Sequence, residues 1–121
     1  MWFRKAADQG DAVAEFLLGN QYANGKGVPQ DYSEAMIWFQ RAVGQGHAVA
    51  KLHLGVMYAE GRGVPQDYVL AHMWFSLAAA QGEKRAVETL AMVEQRMTPA
   101  QIAEAQKLIR DWKPAAQPPP R

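Results

Sequence analysis

Apolar residues recur three or four positions apart along most of the chain, which is the spacing of one face of an α-helix. Two proline-free segments rich in Ala, Leu and Val, at 11–24 and 47–60, each stop at a glycine, which readily adopts the left-handed conformation that closes a helix. A Gly-x-Gly-Val-Pro loop follows each segment, and its proline blocks continuation of the helix. The helical pattern resumes at 32–45 and 68–81. The chain is therefore predicted to be all-α and built from pairs of helices.

The helix pairs are copies of one unit. Residues 2–37 align with residues 38–73 without a gap and share 20 of 36 residues. A fixed period of this size is typical of stacked units, each of which is too small to bury its own apolar face. A third unit at 74–97 keeps the Trp-Phe pair but lacks the Gly-x-Gly-Val-Pro loop, and its first helix is predicted over 83–96. The Trp-Phe pairs are expected in the core between helices.

The last quarter of the sequence carries different signals. The segment 98–112 offers a threonine N-cap, a proline at the first helical position and a glutamine that closes a capping box (Thr98, Pro99 and Gln101). We predict a last helix over 99–112 that caps the stack by covering its final open face. Residues 113–121 are rich in proline and are predicted to be a disordered, extended tail, which favours a linker over a polyproline ligand.

Two motifs identify the unit more closely. Ala-x-x-x-Leu-Gly-x-x-Tyr-x-x-Gly-x-Gly-Val stands at 14–28 and again at 50–64, and Asp-Tyr-x-x-Ala-x-x-Trp-Phe stands at 31–39 and 67–75. These residues resemble Sel1-like repeats, which are related to tetratricopeptide repeats but have a longer period. The resemblance implies a right-handed α/α superhelical solenoid of about two and a half repeats plus a C-terminal capping helix. It also implies a noncatalytic scaffold or adaptor that holds other proteins, often in bacteria.

A candidate binding face follows from positions that differ between the copies. These positions fall on one arc of the first helix of each unit, and first helices line the concave surface of related solenoids. We expect a partner peptide or helix to bind there. Phe16 and Leu52 lie on the same arc but are expected to pack against neighbouring helices. Six others are expected to face solvent: Asn20, Gln21, Asn24, His53, Met57 and Glu60. The predicted partner-binding stripe comprises Leu17, Asn20, Gln21, Asn24, His53, Val56, Met57, Glu60, Thr89, Met92, Val93 and Arg96.

Charge and composition exclude several classes of partner and cofactor. Thirteen basic and twelve acidic residues leave a net charge of +1, which is too balanced for a protein that binds nucleic acid. The sequence contains no cysteine, so disulfides, thiol nucleophiles and cysteine-ligated metals are excluded. His47 and His53 point to different sides of one helix, and His72 lies on another. We expect His47 at a helix start, His53 in the groove and His72 at the surface. We therefore predict no metal site and no cofactor.

Catalysis is not predicted either. The candidate nucleophiles Ser33, Ser76, Thr89 and Thr98 show no adjacent histidine in a repeated arrangement. Cysteine-rich relatives of the Sel1-like group have been linked to β-lactam binding or hydrolysis, which makes a hydrolase of that kind a distant alternative. The absence of cysteine and of a Ser-x-x-Lys motif argues against it.

Self-association is the second functional hypothesis. The first helix places Trp2, Phe3 and Ala6 on an apolar edge that a second copy of the protein could cover, giving a homodimer. No apolar run is long enough to span a bilayer. The start of the sequence lacks the apolar core of a signal peptide, which favours the cytoplasm for the sequence as it stands, with the periplasm or secretion open if a signal was trimmed.

Overall fold

The structure, a computed structural model, describes residues 2–112, and of Trp2 and Phe3 it describes only the backbone. Helices and connecting turns, without a strand, make up this part of the protein, and the predicted all-α architecture of paired helices is confirmed. The predicted tail at 113–121 lies outside the described residues. The helices are α1 (Trp2–Asp8), α2 (Ala12–Asn24), α3 (Tyr32–Gly44), α4 (Ala48–Glu60), α5 (Tyr68–Ala80), α6 (Lys84–Glu94) and α7 (Pro99–Asp111).

Local signals place the helix ends where the sequence predicts them. Gly25 and Gly61 follow α2 and α4 with φ angles of 70° and 69°, a conformation that glycine adopts without a steric penalty. Asp31 and Asp67 then cap α3 and α5, because each carboxylate accepts a hydrogen bond from the backbone N–H three residues later. Both loops therefore reverse the backbone in the same way and place the two helices of each unit side by side.

Each first helix packs closely on the second helix of its own unit. A Cβ atom on Gly19 would lie 2.8 Å from the ring of Phe39, and one on Gly55 would collide with the ring of Phe75. Only glycine lets the helices approach this closely. Both phenylalanines and the tryptophans that precede them are buried, so the predicted core position of the Trp-Phe pairs is confirmed for the second and third copies.

The last helix does not continue the stack. Thr98 and Gln101 form the predicted capping box at its start. However, α7 packs mainly against α5 and makes little contact with α6. Trp112 meets Trp74 edge to face, with 5.8 Å between ring centroids, and the Nζ atom of Lys51 lies 4.6 Å from the Trp112 ring. The predicted last helix therefore packs on α5, and the outer side of α6 is exposed.

Candidate binding groove

A groove of about 300 Å³ lies between α4, α5 and α6. Half of the predicted stripe borders it, namely Val56 and Glu60 on α4, its three members on α6, and Arg96 in the turn after α6. Buried apolar side chains form the floor of the groove. Exposed side chains, most of them polar, form its rim. The lining residues are Val56, Ala59, Glu60, Tyr68, Phe75, Thr89, Met92, Val93 and Arg96.

The floor and the rim differ in exposure. Phe75 and Val93 are buried and form the base of the groove. Met92 stands at the edge with 65% of its surface exposed. A large apolar side chain with this exposure, next to an apolar concavity, is the kind of surface that soluble proteins use for binding.

The groove exists because one side chain is smaller than its counterpart in the preceding unit. His53 and Thr89 occupy equivalent positions, 36 residues apart. The His53 ring lies 5.4 Å from the ring of Phe39 and fills the space above it. Thr89 instead turns its hydroxyl toward its own helix, where it donates to the backbone carbonyls of Arg85 and Ala86. The space above Phe75, the counterpart of Phe39, is therefore left open.

Two charged residues of opposite sign border the opening. The carboxylate of Glu60 lies 2.9 Å from Nε of Arg62, so its charge is already compensated. Arg96 is exposed and forms no ion pair with any of the described residues. The rim therefore presents one uncompensated positive charge next to the apolar floor.

The α2 part of the predicted stripe lies outside this groove. Leu17, Asn20 and Gln21 are half-buried, and Asn24 is exposed. The side chain of Asn24 donates a hydrogen bond of 3.1 Å to the side-chain oxygen of Asn20. These residues form a mainly polar surface on a different helix from those that line the groove.

Met57 is not available to a partner as predicted, and Val93 offers only a small part of its surface, at the base of the groove. The sequence places Met57 at the solvent face, but only 4% of its surface is exposed, and Val93 at the equivalent position is buried to the same extent. The reason is long-range packing: α4 is covered by helices of its own unit and of the neighbouring ones. Phe16 and Leu52 do pack against neighbouring helices, so that expectation is confirmed.

The histidines of α4 have structural contacts. Nδ1 of His47 accepts a hydrogen bond from the backbone N–H of Ala50 and thereby caps α4, as expected for a helix-start residue. The side chain of Phe16 lies against both His47 and His53, with ring centroids 5.0 Å apart in each case. Burial lowers the pKa of each imidazole; repulsion between the two histidines lowers the pKa of His47 further. Both rings are therefore held in the neutral form near pH 7.

The sequence places His72 at the surface, but it is only 3% exposed. Its Nε2 atom lies 2.7 Å from a carboxylate oxygen of Glu94, between α5 and α6. Ser76, one helical turn further along α5, has its Oγ atom 3.4 Å from Nδ1 of the same ring. Ser76 therefore has a histidine neighbour in this unit alone, because Met36 stands at the position equivalent to His72 and the arrangement is not repeated. The four-residue spacing of His72 and Ser76 on one helix is the sequence signal for this contact.

Two observations argue against nucleophilic catalysis by this cluster of Ser76, His72 and Glu94. None of its members borders the groove. Ser76 lies inside α5, where backbone N–H groups are already bonded within the helix and cannot stabilise an oxyanion. Among residues 2–112, no group of three potential ligands is placed to hold a metal ion. The cluster is therefore a polar contact that joins α5 to α6.

The proposed dimer edge can be described only in part. The side chains of Trp2 and Phe3 lie outside the described residues. Arg4 on the same helix places its guanidinium 5.4 Å from the Trp38 ring centroid and donates a hydrogen bond to the hydroxyl of Tyr22. None of the helices in the described part is both long and apolar enough to cross a membrane.

Comparisons with known proteins agree on the repeat. The family model "Sel1 repeat" matches residues 1–11, 12–47 and 48–83, so that each complete match begins at, or next to, a first helix. A crystal structure of a protective antigen with an SLR fold, present in uropathogenic Escherichia coli strains, is similar with a TM-score of 0.88 and 39% identity over 90% of this chain. A Sel1 repeat protein from Oxalobacter formigenes is similar with a TM-score of 0.74 and 44% identity over 77% of this chain.

The match covers only part of those proteins. The present sequence corresponds to 24% of the Escherichia coli structure and 27% of the Oxalobacter formigenes structure. No curated protein matches the sequence. Sel1 repeats generally mediate interactions between proteins, and their fold is typically a noncatalytic scaffold.

Proposed function

Since the chain belongs to the Sel1 repeat family, we propose that it is a noncatalytic scaffold that binds a segment of a partner protein in the groove between α4, α5 and α6. One observation carries the proposal: an open apolar concavity bordered by exposed Met92, on the side of the stack formed by first helices. Burying this surface under a partner removes apolar area from water, which is the main favourable term in protein association.

The walls of the groove suit a peptide better than a flat protein surface. Three helices fix its shape, so little ordering is needed when a segment enters. Methionine at the rim can adapt its flexible side chain to the occupant. The polar α2 residues Asn20 and Asn24, on another first helix, are proposed as the far end of the same binding surface, where hydrogen bonds fix the register of the bound segment.

A noncatalytic role is proposed because no constellation of chemical groups borders the groove. The cluster of Ser76, His72 and Glu94 joins α5 to α6 outside the groove, and its histidine is buried. The groove itself offers one threonine whose hydroxyl already donates within its own helix. A hydrolase related to β-lactam enzymes therefore receives no support from these residues.

The test compares two exposed apolar residues on one helix. Met92 borders the groove, whereas Val87 is 58% exposed on α6 and does not line it. The variants Met92→Glu and Val87→Glu, both first shown to keep the helix content by circular dichroism, are used to capture partners from a lysate of the source organism. The proposal expects a partner that binds wild type and Val87→Glu but is lost with Met92→Glu. Equal capture by both variants would place binding elsewhere on the solenoid.

A further inference from the structure

We propose that the groove is a socket for one aromatic side chain of the partner, and that Arg96 binds a carboxylate next to that ring. This inference rests on the proposed function and deepens it by naming the chemistry of the bound segment. The repeat itself supplies the reason, because the same place in the preceding unit is already occupied.

The preceding unit shows what fits above the phenylalanine. The ring of His53 lies against Phe39. The ring of Phe16 meets the His53 ring edge to face, with 5.0 Å between centroids and an interplanar angle of 78°. The place therefore accommodates a flat ring within an aromatic cluster. In the next unit Phe75 has the position of Phe39, and Thr89 has replaced His53. An aromatic ring supplied by a partner would restore the missing contact.

The size and lining of the groove agree with this occupant. A volume of about 300 Å³ is at the lower end for sites that hold small molecules, and it suits one side chain rather than the whole face of a helix. Phe75 and Tyr68 can meet an incoming ring edge to face, an arrangement that adds to the effect of area burial. Met92 supplies a thioether at the rim, and sulfur atoms make favourable contacts with ring edges.

The charge at the rim selects the neighbouring group. Glu60 is paired with Arg62, so it neither attracts nor repels strongly. Arg96 keeps its positive charge uncompensated within the described residues. A guanidinium binds a carboxylate through two parallel hydrogen bonds, which fixes orientation as well as adding energy. The occupant is therefore an aromatic residue with an acidic side chain beside it.

The test is selection from a phage-displayed library of random linear peptides on the wild-type protein, with the Met92→Glu variant used to remove peptides that bind outside the groove. We expect the retained peptides to share an aromatic residue adjacent to an acidic residue. A synthetic peptide of that sequence is then titrated by fluorescence anisotropy. Replacing its aromatic residue by alanine should weaken binding about tenfold or more, as for an interface anchor.

Two variants of the protein separate the ring from the charge. Thr89→His rebuilds the side chain of the preceding unit and should fill the socket, with about a tenfold loss of affinity, whereas Thr89→Ser leaves the socket open and should bind as wild type does. Arg96→Gln should weaken the acidic peptide several-fold but leave its amide analogue unchanged. Thermal unfolding shows that each variant is folded.

The outcomes distinguish this inference from the proposed function. Peptides that depend on Met92 but lack an aromatic residue, or that bind Thr89→His as well as wild type, would overturn the aromatic socket and leave a binding groove. Peptides rich in aromatic residues but indifferent to Arg96→Gln would overturn the role of the carboxylate. If no peptide depends on Met92, both the socket and the groove are wrong.

Discussion

Glu15 and Lys51 occupy the same position in two consecutive units and carry opposite charges, yet each is only 4% exposed. Both are held by the glutamine that follows the second helix of the unit. Nε2 of Gln45 donates to a carboxylate oxygen of Glu15 at 2.7 Å, and the ammonium of Lys51 donates to the side-chain oxygen of Gln81. An amide offers both a donor and an acceptor, so the same residue can satisfy either charge.

Burial makes the ionised form of Glu15 lower the stability of the folded protein at neutral pH. Desolvation raises the pKa of Glu15 above its ordinary value of 4.5, and the bond from Gln45 offsets this only partly. A carboxyl whose pKa is raised by folding binds its proton more tightly in the folded state, so stability falls as the pH rises through that pKa. We expect Glu15→Gln to raise the free energy of unfolding at pH 8 by about 1 kcal/mol.

Urea unfolding followed by circular dichroism at pH 4 and pH 8 measures this effect. Glu88→Gln, on the exposed side of α6, is the control and should change stability little at either pH. A Glu15→Gln variant that is less stable than wild type at pH 8 would show that the carboxylate contributes more through its contacts than it loses by burial.

The cap of α4 predicts the opposite dependence on pH. His47 accepts a hydrogen bond through a neutral ring nitrogen, and burial lowers the pKa of His47 below 6.5. The unfolded protein therefore binds the proton more tightly, and stability falls as the pH drops through 6.5 toward the pKa of the folded state. Protonation also removes the acceptor and places a positive charge at a helix N-terminus.

His47→Asn should keep the cap and remove the titration. Asparagine is among the preferred N-cap residues, and Asp11 performs the same role at the equivalent position of α2. We expect wild type to lose about 1–2 kcal/mol between pH 8 and pH 5 and the variant to lose clearly less, with similar stability at pH 8. Chemical denaturation at the two pH values measures both; an unchanged loss in the variant would assign the effect to His53.

The close approach of α4 and α5 can be tested with a single methyl group. In Gly55→Ala the new Cβ would overlap the ring of Phe75, so we expect a loss of about 1–3 kcal/mol in the free energy of unfolding. Gly44 is the matched control, because it ends α3 and has open space where a Cβ would stand. Gly44→Ala should be neutral or stabilising by up to about 1 kcal/mol. Equal effects of the two substitutions in urea titrations would contradict the packing described here.

The docking of α7 depends on Trp112. Its ring contacts Trp74 and lies under the ammonium of Lys51, so Trp112→Ala should cost roughly 2 kcal/mol, less than a fully buried tryptophan because Trp112 is half-buried. Lys107→Ala on the exposed side of the same helix should leave stability nearly unchanged. Thermal unfolding of the two variants decides whether α7 stabilises the stack.

Local chemistry explains which features the sequence could predict. Helix ends depend on residues nearby in the sequence, such as Asp67 and the loop before it, and these agree with the structure. The burial of Met57 and His72 depends on helices from other units, so a pattern within one helix could not reveal it. The opening above Phe75 could not be predicted either. It arises because Thr89 is smaller than His53, and the effect of that difference is seen only once the helices are packed.

A row of units that touch only their neighbours would open from its ends, one unit at a time. Here α7 returns across α5, and Trp112 reaches Lys51 at the beginning of α4. We therefore expect the last helix to detach before the unit formed by α4 and α5 separates. Backbone amides of α4, α5 and α7 should therefore exchange with solvent in one concerted event, more slowly than those of α1. Two of the three walls of the groove should thus open together with the last helix, and later than α1.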